Sequence, residues 1–345
     1  MTTDTMTAMQ LTGFGGLEML QLATVPRPQA APGELLIRVG ACGLNNTDLN
    51  LRKGWYSPTD DAMTGWQQNG TPFPLIQGAD IVGEVITVGA GVDVSRVGQR
   101  VMVNPTIYRD HPENPLEIDF IGSERPGGFA EYVAVPAANA YPVESPLADV
   151  ELATFATSYL TAEHMLERAN ITAGETVLVT GASGGVGSAL LQLVRARSAQ
   201  AIAIVGRSKE AFARELGAVD VLPRDVDDIE AATAHHTIDA VADVVGGDGF
   251  SALMHAVRPG GRIVTCGAIA GPLVQIDLRT LYLRNIALIG STLGTASEFA
   301  ALVGYINDEK IKPLLAATFT LEQLREAQQA FEEKQFHGKI VITMN

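Results

Sequence analysis

The chain has 345 residues, 46% of them apolar and 18% charged, which suits a globular protein with a large core and makes two domains the first expectation. Its formal net charge of −15 opposes non-specific attraction to nucleic acid or to an anionic membrane, so neither is expected as a partner. Two cysteines without a CxxC pair argue against a disulfide framework or a multi-cysteine zinc site, and with no secretory pattern and no run near the ~20 apolar residues of a membrane span, a cytoplasmic protein is expected.

Taken in chain order, Glu34–Gly40, Ile81–Val88, Arg100–Asn104 and Ala130–Val135 read as short strands, with Gly83 expected at a bulge. Residues 55–74 and 105–128 are long irregular stretches, expected to shape a pocket. From about residue 150 the pattern alternates. A helix over 153–169 leads to a glycine-rich turn, then a strand at 201–205 and a helix at 209–216 stopped by Gly217. Strands at 219–222, 239–245, 262–266 and 286–289 follow, with a helix at 250–257 among them. Such alternation predicts a parallel sheet covered on both faces. A helix around 321–334 and a strand at 339–343 close the chain.

The most telling stretch is Val177-Leu-Val-Thr-Gly-Ala-Ser-Gly-Gly-Val-Gly-Ser188, where a β-branched run stops at glycines and a helical pattern opens. Ser183, Gly184, Gly185, Val186 and Gly187 would let backbone approach a pyrophosphate, and the helix N-terminus would supply free N–H groups. An NAD site carries an acid about 20 residues further on, at the end of the second strand. Gly206-Arg207-Ser208-Lys209 stands there instead. Two cations at a helix start oppose its dipole, whereas they would attract a 2′-phosphate. NADPH is therefore the expected cofactor. Cys266-Gly267-Ala268-Ile269 and Ser291-Thr292 end the fifth and sixth strands, at the carboxyl edge where a parallel sheet meets its ligand. Cys266 reads as a small buried residue rather than a nucleophile.

Several further segments carry a resemblance: Ala41-Cys-Gly-Leu-Asn-Asn-Thr-Asp48, Leu75-Ile-Gln-Gly-Ala-Asp-Ile-Val-Gly-Glu84, Gly127-Gly-Phe-Ala-Glu-Tyr132, Tyr159-Leu-Thr-Ala162, Asp243-Val-Val-Gly-Gly247, Gly260-Gly-Arg-Ile-Val264 and Gly338-Lys-Ile-Val341. In their order and spacing the chain resembles the medium-chain dehydrogenase/reductase superfamily, in its zinc-free, quinone-oxidoreductase-like branch. The resemblance implies an α/β protein with a GroES-like β-rich catalytic domain over 1–148 and 294–345. It implies an inserted Rossmann domain, a doubly wound parallel sheet, over 149–293. A cleft holding a nicotinamide cofactor and a carbonyl or enone, and a homodimer joined through edge strands, are implied as well. Thr161 would lie near the nicotinamide, and Arg224 matches a position near the adenosine phosphate.

Zinc-dependent relatives place a ligating Cys directly after a Gly-Ile or Gly-Val pair. Here Asn45 follows Gly43-Leu44, Ala79 stands where they have His, and Thr157 holds the third position. The four-cysteine lobe is missing from 105–128, and the six histidines show no ligand spacing, with His235-His236 in a polar stretch. No metal is expected. Hydrogen-bond donors would then stabilise the developing oxyanion. Asn45 and Tyr56 are the leading candidates, with Thr47 and Tyr159 behind them, and Asp48 reads as a capping residue. The expected activity is NADPH-dependent, zinc-independent reduction of a quinone or α,β-unsaturated carbonyl. Two alternatives stand beside it: a reductase or dehydrogenase of simple aldehydes, ketones or alcohols, and an NADPH-binding sensor or interaction protein with little turnover.

Overall fold

The computed structural model describes residues 4–56, 71–108, 118–226, 228–333 and 337–344. The chain divides into two compact units, 1–157 with 313–345, and 158–312. The second unit reaches beyond residue 293 because the helix Ala296–Asn307 belongs to it: His164 Nδ1 lies 2.9 Å from Glu298 Oε1, and a Cβ on Gly294 would meet Leu160 at 2.4 Å.

Six parallel strands form the second unit: β1 (Thr176–Val179), β2 (Gln200–Val205), β3 (Ala218–Pro223), β4 (Ile238–Asp243), β5 (Val257–Thr265) and β6 (Ala287–Gly290). Their order, β3-β2-β1-β4-β5-β6, is that of a doubly wound dinucleotide-binding sheet, with its switch point between β1 and β4. Leu178, Ile202, Val241 and Ile263 are fully buried, as strands covered on both faces require. β5 begins at Val257 rather than Arg262: Val257 already pairs with Ile238, and a register shift then absorbs Pro259-Gly260-Gly261, which reads as a break in sequence. The helix expected at 209–216 opens as a 3₁₀ turn over Arg207–Lys209 and is α-helical only at Glu210–Glu215.

The first unit is built on the strand Glu34–Gly43, which pairs antiparallel with Asp80–Val88, Tyr132–Pro136 and, at its end, Lys339–Thr343. The C-terminal strand thus completes the β-rich unit. Leu35, Ile37, Ile81, Val85, Val133 and Ile340 point into one core. The bulge expected at Gly83 lies elsewhere: the unpaired residues are Ile86 and, on the partner strand, Gly40. Gly83 instead admits the Arg38 carbonyl, whose oxygen would lie 2.2 Å from a Cβ there. Within 105–128, Thr106–Tyr108 and Ile118–Phe120 form a small hairpin. Of the two stretches expected to shape a pocket, 55–74 and 105–128, residues 57–70 and 109–117 lie outside the described residues. No helix among the described residues is long and apolar enough to cross a membrane.

Candidate active site

In the second unit one buried carboxylate organises the carboxyl edge of the sheet. Asp243 ends β4 and accepts from Thr180 Oγ1 beyond β1 at 2.7 Å, from Thr265 Oγ1 on β5 at 3.2 Å and from Gly246 N–H at 3.1 Å. Beyond β1 the chain turns through Gly181, at φ +57, into the helix Gly185–Ala196, with Gly184 at its N-cap. A Cβ on Gly187 would lie 2.2 Å from the Gly181 carbonyl oxygen, and one on Gly185 2.8 Å from Ser158 Oγ, so the helix packs on the turn at a distance only glycine allows. Ser183, Gly184, Gly185, Val186 and Gly187 therefore share one turn, with Gly184 and Gly185 exposed at its mouth. The first N–H groups of a helix have no partner within it, so this mouth holds donors of the kind an anion accepts from.

Gly206-Arg207-Ser208-Lys209 follows β2, and a Cβ on Gly206 would meet nothing within 4 Å. Arg207 Nε lies 3.3 Å from Asp225 Oδ2, with both side chains 68% exposed. Arg224 N–H donates to the Val205 carbonyl at 2.7 Å, which sets the ends of β2 and β3 side by side. Sequence reasoning singled out Arg207, Lys209 and Arg224 and passed over Asp225, because this acid arrives from the neighbouring strand and not from the end of β2. At the other side of the switch point, Cys266-Gly267-Ala268-Ile269 leaves β5. Burial first, and Asp243 second, push the Cys266 thiol up to about 12, which keeps it protonated and unreactive. Ser291 N–H donates to the Thr265 carbonyl at 2.9 Å, while its Oγ is buried without a partner, and Thr292 beside it is exposed. Thr161 is buried in the helix Ala156–Arg168. The glycine mouth and the orphaned Ser291 hydroxyl fit a nicotinamide dinucleotide laid along this edge.

In the first unit, strand register assembles a polar knot. Gly43 pairs with Asp80 on one side and Val341 on the other, and Leu44 N–H donates to the Ile340 carbonyl at 2.9 Å, which sets Asn45 beside Lys339. Lys339 Nζ donates to Asn45 Oδ1 at 2.5 Å and lies 2.7 Å from Asp80 Oδ2, the two charged side chains being 6% and 0% exposed. Asp80 Oδ1 accepts from both the N–H and the hydroxyl of Thr157, at 2.9 and 2.5 Å. An ammonium can only donate, so Asn45 must turn its amide oxygen to Lys339. Its Nδ2 faces the other way, with a long 3.5 Å contact to the Gly43 carbonyl. Asp48, in the first turn of the helix Asn46–Arg52, accepts from the N–H groups of Asn45 at 2.8 Å and Gly78 at 3.3 Å, which is capping work. Burial above all, against the pull of the Asn45 N–H and with the negative charge of Asp80 adding to it, pushes its carboxyl up to about 7.

These residues do not fit zinc. The positions the resemblance assigns to ligands hold an amide, a methyl and a hydroxyl, and a buried ammonium already meets Asn45 and Asp80. Tyr56 is half-buried and accepts from Asn50 Nδ2 at 3.1 Å, on the helix that also carries Thr47. Tyr159 has a different setting, in the second unit. Its buried hydroxyl accepts from Gln192 Nε2 at 2.6 Å and donates to the Lys312 carbonyl at 3.1 Å, so packing engages it. Lys339 had no assigned role in the sequence reading, although Gly338-Lys-Ile-Val341 was singled out. Its meeting with Asn45 follows from pairing between the two ends of the chain, which no local pattern encodes.

The chain matches the alcohol dehydrogenase GroES-like domain family over residues 31–145 and the zinc-binding dehydrogenase family over residues 185–308. It is 30% identical over 363 residues to the synaptic vesicle membrane protein VAT-1 homolog of Mus musculus, covering 96% of this chain and 82% of that protein. It is 27% identical to the quinone oxidoreductase of Rattus norvegicus, covering 93% and 92%. A crystal structure from Sinorhizobium meliloti 1021, provisionally described as an alcohol dehydrogenase, superposes with a TM-score of 0.94 at 50% identity, covering 99% and 97%.

Proposed function

The chain belongs to the medium-chain dehydrogenase/reductase superfamily and is an oxidoreductase with a nicotinamide cofactor; on that premise we propose that it reduces a quinone or α,β-unsaturated carbonyl with NADPH, without zinc. The observation that supports this most is the Lys339–Asp80 ion pair at 2.7 Å, next to Asn45 and Thr157, where a zinc-dependent relative would place its Lewis acid. Bound NADPH would supply the hydride. The chain's own part is to orient the acceptor and stabilise charge on its oxygen. Asn45 Nδ2 has donor capacity left, and its orientation is fixed because Oδ1 is held by Lys339. On hydride addition the charge of an enone or quinone spreads over several atoms, so neutral donors suffice where a simple ketone would ask for more. Tyr56 is the second donor in this reading.

Arg207, Lys209 and Arg224 would receive the 2′-phosphate, Gly184 to Gly187 the pyrophosphate, and Ser291 the nicotinamide amide. The S. meliloti likeness favours a second reading, oxidation or reduction of a simple alcohol or aldehyde. The deciding experiment is turnover with NADPH and with NADH across quinones, enones and simple aldehydes, before and after chelation. Faster NADPH oxidation with quinones or enones, unchanged by chelator, is the expected result. Preference for NADH, or for aldehydes with loss on chelation, would reject the proposal. We also propose a homodimer through β6, an edge strand whose surroundings expose Tyr282, Leu283 and Leu288. Light scattering should give twice the chain mass, and Leu288→Glu should give the monomer.

A further inference from the structure

A second cluster of chemistry-bearing side chains lies in the second unit, on β3 and the segment that leads into β4. Asp220 sits in β3. His235 and His236 follow the short helix Ile229–Thr233 and precede Ile238, where β4 begins. The His235 and His236 Nε2 atoms lie 3.3 and 3.1 Å from the same oxygen, Asp220 Oδ2. The three ligand atoms lie within 4.8 Å of one another.

We propose that Asp220, His235 and His236 form a binding site for a divalent transition cation of the zinc class, separate from the dinucleotide edge.

Three features carry this. First, the donor chemistry is right: two imidazoles and a carboxylate suit Zn²⁺, Cu²⁺ or Ni²⁺, not the all-oxygen preference of Ca²⁺ or Mg²⁺. Second, the spacing is right. Metal–ligand bonds of about 2.0 Å in a tetrahedron put ligand atoms about 3.3 Å apart, close to the two imidazole-to-carboxylate distances observed. The third edge, between the two imidazoles, is at most 4.8 Å, and His235 is 64% exposed, which leaves its ring room to move. Third, the two oxygens of Asp220 are already divided between tasks. Oδ1 accepts from Val221 N–H at 2.8 Å and lies 3.7 Å from Arg214 Nη2, which orients the carboxylate, while Oδ2 turns to the rings. The cation would bind neutral imidazoles through Nε2, with their protons on Nδ1, and water would fill the remaining positions. It would tie β3 at the sheet edge to the entry of β4.

Calorimetric titration of the purified chain with ZnCl₂ tests this, with circular dichroism as the check on folding. Wild type should bind one Zn²⁺ per chain. D220N and H236Q each remove a direct ligand and should weaken binding by more than the about 10- to 100-fold that losing an outer-shell partner costs. H235Q/H236Q should abolish it and should also remove the zinc-dependent rise in Tm expected of wild type. His235 is exposed, so H235Q alone guards against loss through misfolding. Absence of binding by wild type at submillimolar Zn²⁺, or binding that survives in H235Q/H236Q, would overturn the site. Turnover should be the same with and without Zn²⁺, which keeps this test apart from that of the proposed reaction.

Discussion

The polar knot of the first unit and the glycine edge of the second are both rich in hydrogen-bonding groups, but they end differently. In the knot the charges meet one another: Lys339 is held by Asp80 and Asn45, and Asp80 also by Thr157. At the edge, groups are left open: the exposed mouth at Gly184 and Gly185, the exposed Arg207, and the buried Ser291 hydroxyl with no partner. A network closed on itself contributes to folding, whereas an open one holds binding capacity in reserve. Substitutions should separate along that line, into losses of stability in the knot and losses of affinity at the edge.

The hardest test of that contrast is Lys339→Met. It leaves Asp80 charged, buried and unpaired, and removing one partner of a buried pair costs about 3–5 kcal/mol. Denaturant unfolding should show the loss, and adding Asp80→Asn should recover much of it. Equal stability of Lys339→Met and wild type would break the comparison on the knot side.

At the edge the expected change is in binding. Arg207→Ala should weaken NADPH by about 10- to 150-fold, the value of a charge-assisted contact at 1.5–3 kcal/mol, with NADH affinity and unfolding midpoint nearly unchanged. The exposed Arg207–Asp225 pair contributes little to folding. Asp225→Asn removes a carboxylate near the proposed phosphate, so it should shift preference further toward NADPH. Fluorescence titration with both cofactors reads both variants.

Tyr56→Phe tests whether chemistry is shared by a residue beside the knot. Turnover should fall by less than about 10²-fold while NADPH affinity stays put, because charge on an enone is delocalised. Unchanged single-turnover reduction would return Tyr56 to its packing bond with Asn50.

Asp48 gives an effect that shows only as a dependence on pH. Its folded carboxyl is raised from 3.8 to about 7. Between those values the folded state holds a proton that the unfolded state has released. Its contribution to stability is therefore full below pH 4 and lost as pH rises through 7. The slope is at most about 1.4 kcal/mol per pH unit for one group. Unfolding free energies of wild type and Asp48→Asn across that range should differ in slope; parallel curves would place the carboxyl at an ordinary value.

What the sequence showed divides in the same way. The glycine turn was legible because strand, turn and helix are contiguous, and Gly185 and Gly187 are needed by neighbours a few residues away or one helix away. The cations after β2 were legible for the same reason. Asp225, Lys339 and the meeting of Asp220 with His235-His236 were not, since each depends on which strand lies beside which. The helix Asn46–Arg52, missed as an element, is short and polar at its start, and its Asp48 cap was nonetheless recognisable. Gly83 misled because a glycine within a strand signals either a bulge or a close backbone approach, and only the partner strand decides between them.

The C-terminal strand also sets the order in which the protein can be made. Residues 158–312 form a contiguous unit that can fold as soon as it leaves the ribosome. The other unit cannot: residues 41–43 have no cover on one edge until 341–343 arrive, and those are synthesised only after the whole of the intervening unit. Until then a half-finished sheet waits with a bare edge and an Asp80 that has no Lys339 to neutralise it. Chaperone dependence and aggregation should therefore concentrate in that interval, and a stop codon placed just before Lys339 should yield a chain that carries a folded dinucleotide unit on an unfinished β-rich one.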